Sequence, residues 1–171
     1  LEAYSSNVFH PLSQGIALEG MKIIKDNLVE AYNDGKNIKA RSNMLATSSM
    51  GSVSFQKGLG AIHSLSHPIG AIYNTHHGLT NAVFMPYVLI RNREAIENKI
   101  VDLSRYLNLS NPSFNSFLDW ILDLRKSLSI PHTLKELIDD DSNFKKMSVM
   151  ALNDPSTGSN PIRLNQDDWK K

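Results

Sequence analysis

No stretch of this chain alternates apolar and polar residues at period two for long enough to make a convincing strand, whereas apolar residues recur at helical spacing along most of its length. That pattern restricts the fold to helix packed on helix. Residues 12–33 carry Ile16, Met21, Ile23, Ile24, Leu28 and Tyr32, with Ser13 predicted as N-cap and Asp34-Gly35 as the stop. Residues 38–56 form a second helical stretch. Its small residues (Ala46, Ser48, Ser49, Gly51, Ser52) would admit a close neighbour, and Lys57-Gly58-Leu59-Gly60 ends it. A short helix is expected over residues 61–67, its continuation disturbed by Pro68 and Gly70. Residues 72–78 read as a loop, and 78–92 as an apolar run (Leu79, Ala82, Val83, Met85, Val88, Leu89, Ile90) kinked at Pro86. Further amphipathic segments fall at 94–106, 113–127 (capped by Ser113), 134–139 and 143–152. Residues 154–161 are turn-rich, and a short helix from Asn165 would close the chain. The expected architecture is all-α, a multi-helix bundle forming one domain over residues 1–171.

A chain of 171 residues can bury one sizeable core. A formal net charge of +1 gives no reason to expect nucleic acid or an anionic membrane as partner. No uninterrupted apolar run reaches the ~18 residues of a membrane span. The absence of cysteine excludes disulfides, thiolate metal sites and a Cys nucleophile. Leu1-Glu2-Ala3-Tyr4, with no initiator Met, reads as the middle of a helix whose start, with any targeting signal, lies upstream.

The chemistry concentrates in the histidines. Four of the six, His63, His67, His76 and His77, lie within fifteen consecutive residues. His63 and His67 share a face if their segment is helical, and His77 follows beyond a loop that could fold the chain back. Neutral imidazole is a common ligand for zinc, iron, copper and nickel. Between Lys36 and Arg93 there is no Asp or Glu, so any carboxylate must come from elsewhere. Two or three histidines alone make an incomplete ligand set. The residues by themselves leave metal binding and hydrogen-bonded packing equally open. Gly58-Leu59-Gly60 lacks a preceding strand and reads as helix punctuation rather than a phosphate loop. Tyr73-Asn74-Thr75 suits a helix end, Trp120 and Trp169 suit packing, and Lys145-Lys146 and Lys170-Lys171 suit a solvated surface.

The run Gly58-Leu59-Gly60-Ala61-Ile62-His63-Ser64-Leu65-Ser66-His67-Pro68-Ile69-Gly70-Ala71-Ile72-Tyr73-Asn74-Thr75-His76-His77-Gly78 resembles the histidine signature of the iron-containing (group III) alcohol dehydrogenases. Leu79-Thr80-Asn81-Ala82 to Met85-Pro86-Tyr87 continues the likeness, and Glu2-Ala3-Tyr4 and the segment Asp154-Pro155-Ser156-Thr157-Gly158-Ser159-Asn160-Pro161 extend it. The resemblance implies the helical C-terminal metal-binding domain of a dehydroquinate synthase-like fold. It implies that His63 and His77 are metal ligands, and that His67 is a catalytic and cofactor-binding residue beside the metal. His76 stands where many relatives have Pro and takes no ligand role. The family's two remaining ligands, an Asp and a His, would fall just before Leu1, together with an N-terminal dinucleotide-binding domain. On this reading the acid-free stretch reflects a carboxylate supplied by that upstream part, and the fragment alone is expected to be inactive. The implied cofactors are a divalent metal, Fe2+ or Zn2+, and NAD or NADP. The implied partner is a small alcohol or aldehyde, in a cytoplasmic enzyme that can form a homo-oligomer. Because ligand imidazoles must be neutral, metal binding is expected to weaken below about pH 6 to 6.5. The rival readings are a glycerol dehydrogenase or dehydroquinate synthase relative, and a non-catalytic helical metal-binding module.

Overall fold

The computed structural model describes residues 1–165 and 168, and no strand occurs among them. The helices are α1 (Glu2–Ser5), α2 (Pro11–Asn33), α3 (Ile38–Ser54), α4 (Ala61–Tyr73), α5 (His77–Tyr106), α6 (Phe114–Ser127) and α7 (Phe144–Leu152). Short 3-10 turns lie at Phe55–Lys57, Leu134–Glu136 and Pro155–Ser159. At about 1.5 Å per residue, the 30 residues of α5 make it the longest rod of the bundle. Leu89, Ile96, Ile100 and Leu103 lie on one face of it, in a core that also takes Tyr4 of α1, Ala17 and Met21 of α2, and Phe114, Phe117 and Ile121 of α6. Trp120 packs at the edge of this cluster, its ring 5.4 Å from that of Phe117. A second cluster joins Ala61 and Ile62 of α4 to Val88 and Leu164, and a third joins Ile69 to Ile138 and Met147. Helix α4 is thus buried along one side at both ends.

Several local expectations give way to tertiary packing. Helix α4 does not stop at Pro68. It runs through Pro68 and Gly70 to Tyr73, and its C-cap Asn74 adopts a left-handed conformation with φ of 52°. An interior proline costs a helix about 3 kcal/mol, but here Pro68 and Ile69 are buried and Ile72 and Tyr73 pack on the third cluster. The expected loop shrinks to residues 74–76, and the segments expected at 78–92 and 94–106 are one helix that runs through Pro86. Ser13 is not the cap of α2. Pro11 occupies the first helical position, and His10 Nδ1 accepts the Ser13 N–H at 3.2 Å while Ser13 itself is buried. The small residues of α3 mostly face solvent: Ala46, Ser48, Ser49 and Ser52 are exposed, and Ala40, Thr47 and Ser54 are the buried positions. Ser113 caps α6 through a reciprocal capping box with Ser116. Lys145 and Lys146 are exposed. Trp169, Lys170 and Lys171 lie outside the described residues, as does most of the helix expected from Asn165.

Candidate metal centre

The α4–α5 hairpin brings three histidines together. His63 and His67 stand one turn apart on α4, and the three-residue connection returns the chain so that His77, the first residue of α5, faces them. The ring centroids of His63 and His67 are 5.8 Å apart, those of His63 and His77 5.3 Å, and those of His67 and His77 5.5 Å with planes within 13° of parallel. One turn into α5, the Asn81 side-chain nitrogen lies 3.3 Å from His63 Nε2 and 3.1 Å from His77 Nε2. The two Nε2 atoms therefore aim at a common point. His76 is not part of this group: it is the N-cap of α5, its Nδ1 accepting the Leu79 N–H at 3.2 Å. Thr75 and Thr80 bond each other at 2.9 Å, and Tyr73 donates to the Asp140 carbonyl at 2.9 Å, so this turn is structural.

The opposite nitrogens of two of these rings are held by carboxylates. His63 Nδ1 meets Glu2 Oε2, and His67 Nδ1 lies 2.8 Å from Asp154 Oδ2. An ionised carboxylate only accepts, so each Nδ1 carries the proton, and a neutral His63 ring keeps its lone pair on Nε2. Carboxylate support of this kind fixes the orientation and raises the basicity of metal-ligating imidazoles. Sequence reasoning missed both carboxylates as functional residues. Glu2 and Asp154 reach the histidines at Nδ1, a different place from the convergent Nε2 atoms at which a metal-ligating carboxylate was expected from upstream. The acid-free run from Lys36 to Arg93 was the available signal that such groups had to be imported.

The start of α4 explains how the imports are anchored. Gly60, the N-cap, has no side chain to satisfy the first amides of the helix. Asn160 Oδ1 accepts the Ala61 N–H at 3.1 Å and Glu2 Oε1 accepts the Ile62 N–H at 2.6 Å. A Cβ at Gly60 would come within 2.8 Å of both of those oxygens, so only glycine admits them. Asn160 is fixed by a reciprocal, buried amide pair with Asn92 of α5, each bond 2.9 Å. The rest of the 154–160 segment clasps the same turn: Thr157 lies 2.8 Å from the Ser64 hydroxyl, and Ser159 donates to the Leu59 carbonyl at 2.8 Å. Gly58, at φ of 94°, lets Ser159 approach. Gly58 and Gly60 thus serve close chain approach.

Electrostatics and exposure separate the three rings. Burial, followed by the neighbouring His63, His67 and His76, holds the His77 pKa below its ordinary 6.5, which favours the neutral form a metal needs. Burial alone would raise the Asp154 pKa, but the bonds from His67 and Ser156 hold it below 3.8. The His63 side chain is 15 % exposed and that of His67 43 %, and His77 is exposed as well, so the cluster opens to solvent along His67 and His77. A cavity of about 740 Å³ lies elsewhere, lined by Leu65, Ile69, Phe84, Val88, Leu134 and Met147 among others, and none of the three histidines borders it. Its wall is mostly apolar, with Arg91, Lys135, Asp139, Asp140 and Asp141 also lining it. Among the described residues no group of three or more His, Asp or Glu side chains is placed to hold an ion unaided. The donor set still fits one half of a site for zinc or ferrous iron: two imidazole nitrogens directed at one point, with the other nitrogen of His63 clamped.

The sequence pattern of the Fe-containing alcohol dehydrogenase family, C-terminal part, matches residues 1–171. The chain belongs to the iron-containing alcohol dehydrogenase family. It is 29 % identical to the NADPH-dependent butanol dehydrogenase of Clostridium saccharobutylicum, over 100 % of this chain and 46 % of that protein. It is 32 % identical to the 4-hydroxybutyrate dehydrogenase of Cupriavidus necator, over 100 % of this chain and 47 % of the relative. The crystal structure of a 1,3-propanediol oxidoreductase superposes with a TM-score of 0.92 at 29 % identity, covering 98 % of this chain and 46 % of that one. The chain thus spans about half the length of the relatives it matches. No described helix of this family member is long and apolar enough to cross a membrane.

Proposed function

We propose that the protein to which this chain belongs is a metal-dependent alcohol dehydrogenase, transferring hydride between a small alcohol and NAD or NADP. The observation that carries this reading is the convergence of His63 Nε2 and His77 Nε2 on a single atom, 3.3 Å and 3.1 Å away. His63 and His77 would hold the ion, ferrous iron or zinc, with an Asp and a His from the half of the protein that this chain does not cover. Bound there, a divalent ion would supply Lewis acidity toward the alcohol oxygen. The relatives' names join the enzymes to butanol, 4-hydroxybutyrate and 1,3-propanediol, all short flexible aliphatic hydroxyl compounds, and a substrate of that class is proposed here. Dependence on a nicotinamide cofactor fits a cytoplasmic enzyme.

His67 is the residue for the proton. Its Nδ1–H is held by Asp154, so Nε2 would be placed to take the hydroxyl proton, with a bound nicotinamide supplying the hydride acceptor. The imidazolium formed at His67 would be steadied by the Asp154 carboxylate, and the alcohol would leave as an aldehyde or ketone.

Metal content and turnover of the full-length enzyme test these assignments together. His63→Ala and His77→Ala are expected to lose the metal and abolish activity. His67→Ala is expected to keep the metal and lower turnover by about 10² to 10⁴. A His77→Ala enzyme with normal metal content and turnover would remove the ligand assignment, and loss of metal in His67→Ala would exchange the roles.

A further inference from the structure

The α4–α5 hairpin is joined at one end by residues 74–76 and tied at the other by a side chain. Asn160 Oδ1 accepts the N–H of Ala61, the first residue of α4, at 3.1 Å, and the Nδ2–H of Asn92, well along α5, at 2.9 Å. Asn160 Nδ2 donates to Asn92 Oδ1 at 2.9 Å and to the Ile162 carbonyl at 2.8 Å. Both lone pairs and both N–H groups of the Asn160 amide are therefore used. Asn92 is 4 % exposed and Asn160 6 %.

A buried amide pair of this kind adds little net stability, because two apolar side chains of the same shape serve nearly as well. What it adds is direction. The apolar contacts at the same place, among Ala61, Ile62, Val88 and Leu164, attract without fixing a register. The amide bonds hold only over a narrow range of distance and angle, and a fully satisfied buried network specifies one arrangement. His77 stands at the 74–76 end of the hairpin, and His63 two residues from the tied end. A swing of α4 against α5 about the 74–76 connection would move one ring relative to the other. A second polar path, from the Ile62 N–H through Glu2 and α1 to Lys99 of α5, is longer and makes the tie important but not sole.

We propose that Asn92 and Asn160 are positioning residues for the metal: their amide pair fixes the separation of His63 and His77, and with it the affinity of the site. This rests on the assignment of those two histidines as ligands. A zinc–imidazole bond is about 2.0 to 2.1 Å long, and a ligand set works only when it is held within about 0.5 Å of the productive geometry. The pair touches neither ring. It acts by locking the helix that carries one ligand to the helix that carries the other.

The test uses the full-length enzyme, with zinc affinity measured by competition against a chromophoric chelator. Asn92→Leu severs the tie to α5 and leaves Asn160 on the Ala61 N–H. It is expected to bind zinc about tenfold more weakly than wild type. Cobalt(II) bound in place of zinc should give an altered visible spectrum, which reports the changed ligand geometry. Asn92→Asp keeps an acceptor for Asn160 Nδ2 and should fall between Asn92→Leu and wild type. Phe117→Leu opens a void in the core beneath α6 and controls for instability; it should keep wild-type affinity and spectrum. Unchanged zinc affinity and cobalt spectrum in Asn92→Leu would overturn the proposal. So would an equal loss in Phe117→Leu, or failure of both Asn92 variants to fold, since the pair would then hold up the bundle and not aim the ligands. His63→Ala and His77→Ala separate the two layers of the argument. Retention of zinc by both would sink the site assignment, whereas loss of zinc there beside unchanged Asn92 variants would sink the role of the amide pair alone.

Discussion

Two groups of basic side chains in this fold are stabilised in opposite ways. The histidines of the α4–α5 hairpin receive carboxylates, Glu2 on His63 and Asp154 on His67. Six residues before His63, Lys57 is 1 % exposed and meets no carboxylate among the described residues. Its ammonium donates to the carbonyls of Tyr4 at 3.2 Å and Ser6 at 2.6 Å, and Lys99 donates to those of Ser5 at 3.0 Å and Ser6 at 2.9 Å. The two lysines together cap the C-terminal end of α1, where cations are favoured. Burial, and then the charge of Lys99, lowers the Lys57 pKa to about 8. Each lysine commits two of its three N–H donors to backbone carbonyls and so serves the fold. The histidines are gripped at one nitrogen and present the other. A single-sided clasp is what distinguishes a site from a structural tie.

Lys57→Ala should break the comparison hardest on the structural side. It leaves the Tyr4 carbonyl without its donor, removes one of the two donors on the Ser6 carbonyl and opens a void, with an expected loss of roughly 3 kcal/mol in unfolding free energy, read by denaturant titration. Metal content of the protein that still folds should be unchanged. Glu2→Gln should act in the opposite sense, keeping an acceptor for the Ile62 N–H but removing the charge behind His63. Metal affinity is expected to fall 10- to 100-fold, measured by chelator competition, with less loss of stability than Lys57→Ala. An unaltered affinity would show that the Glu2 contact is structural after all.

The remaining effects are in pH dependence. The His77 pKa is lowered on folding, so below 6.5 the unfolded chain takes up a proton that the native ring resists. Stability is therefore expected to fall as pH drops below 6.5 and to level off beneath the folded pKa, and His77→Gln should flatten that window. Asp154 contributes on a separate range, its stabilisation being present above pH 3.8 and lost as pH falls through its lower folded value. Lys57 acts at the alkaline end. Between about 8 and 10.5 the unfolded lysine binds the proton and the native one does not, so stability should rise across that interval and Lys57→Met should remove the rise.

The helical class, the pairing of His63 with His67 and the cap at Ser113 were legible because each depends on residues three or four apart. The continuation of α4 through Pro68 was not. The local cost of proline is written in the sequence, but the burial of Ile69 against Ile138 and Met147 is not. The carboxylates were hidden for a related reason. Glu2 is 61 residues from His63 and Asp154 is 87 residues from His67, beyond the range of any local pattern. The missing acids between Lys36 and Arg93 showed that a partner was needed without showing which. Lys57 gave no sign at all: beside Gly58 it reads as part of a turn, and only the docking of α1 makes it interior.

The wide spacing of the clasps has a kinetic consequence. The α4–α5 hairpin can form from neighbouring residues early, but its imidazoles stay unaimed until segments from either side have docked, and such distant contacts form slowly. A ribosome must have released the chain beyond Asn160 before the first turn of α4 is capped and both rings are secured. Ion capture should then be one of the final events of maturation, following assembly of the bundle and never nucleating it.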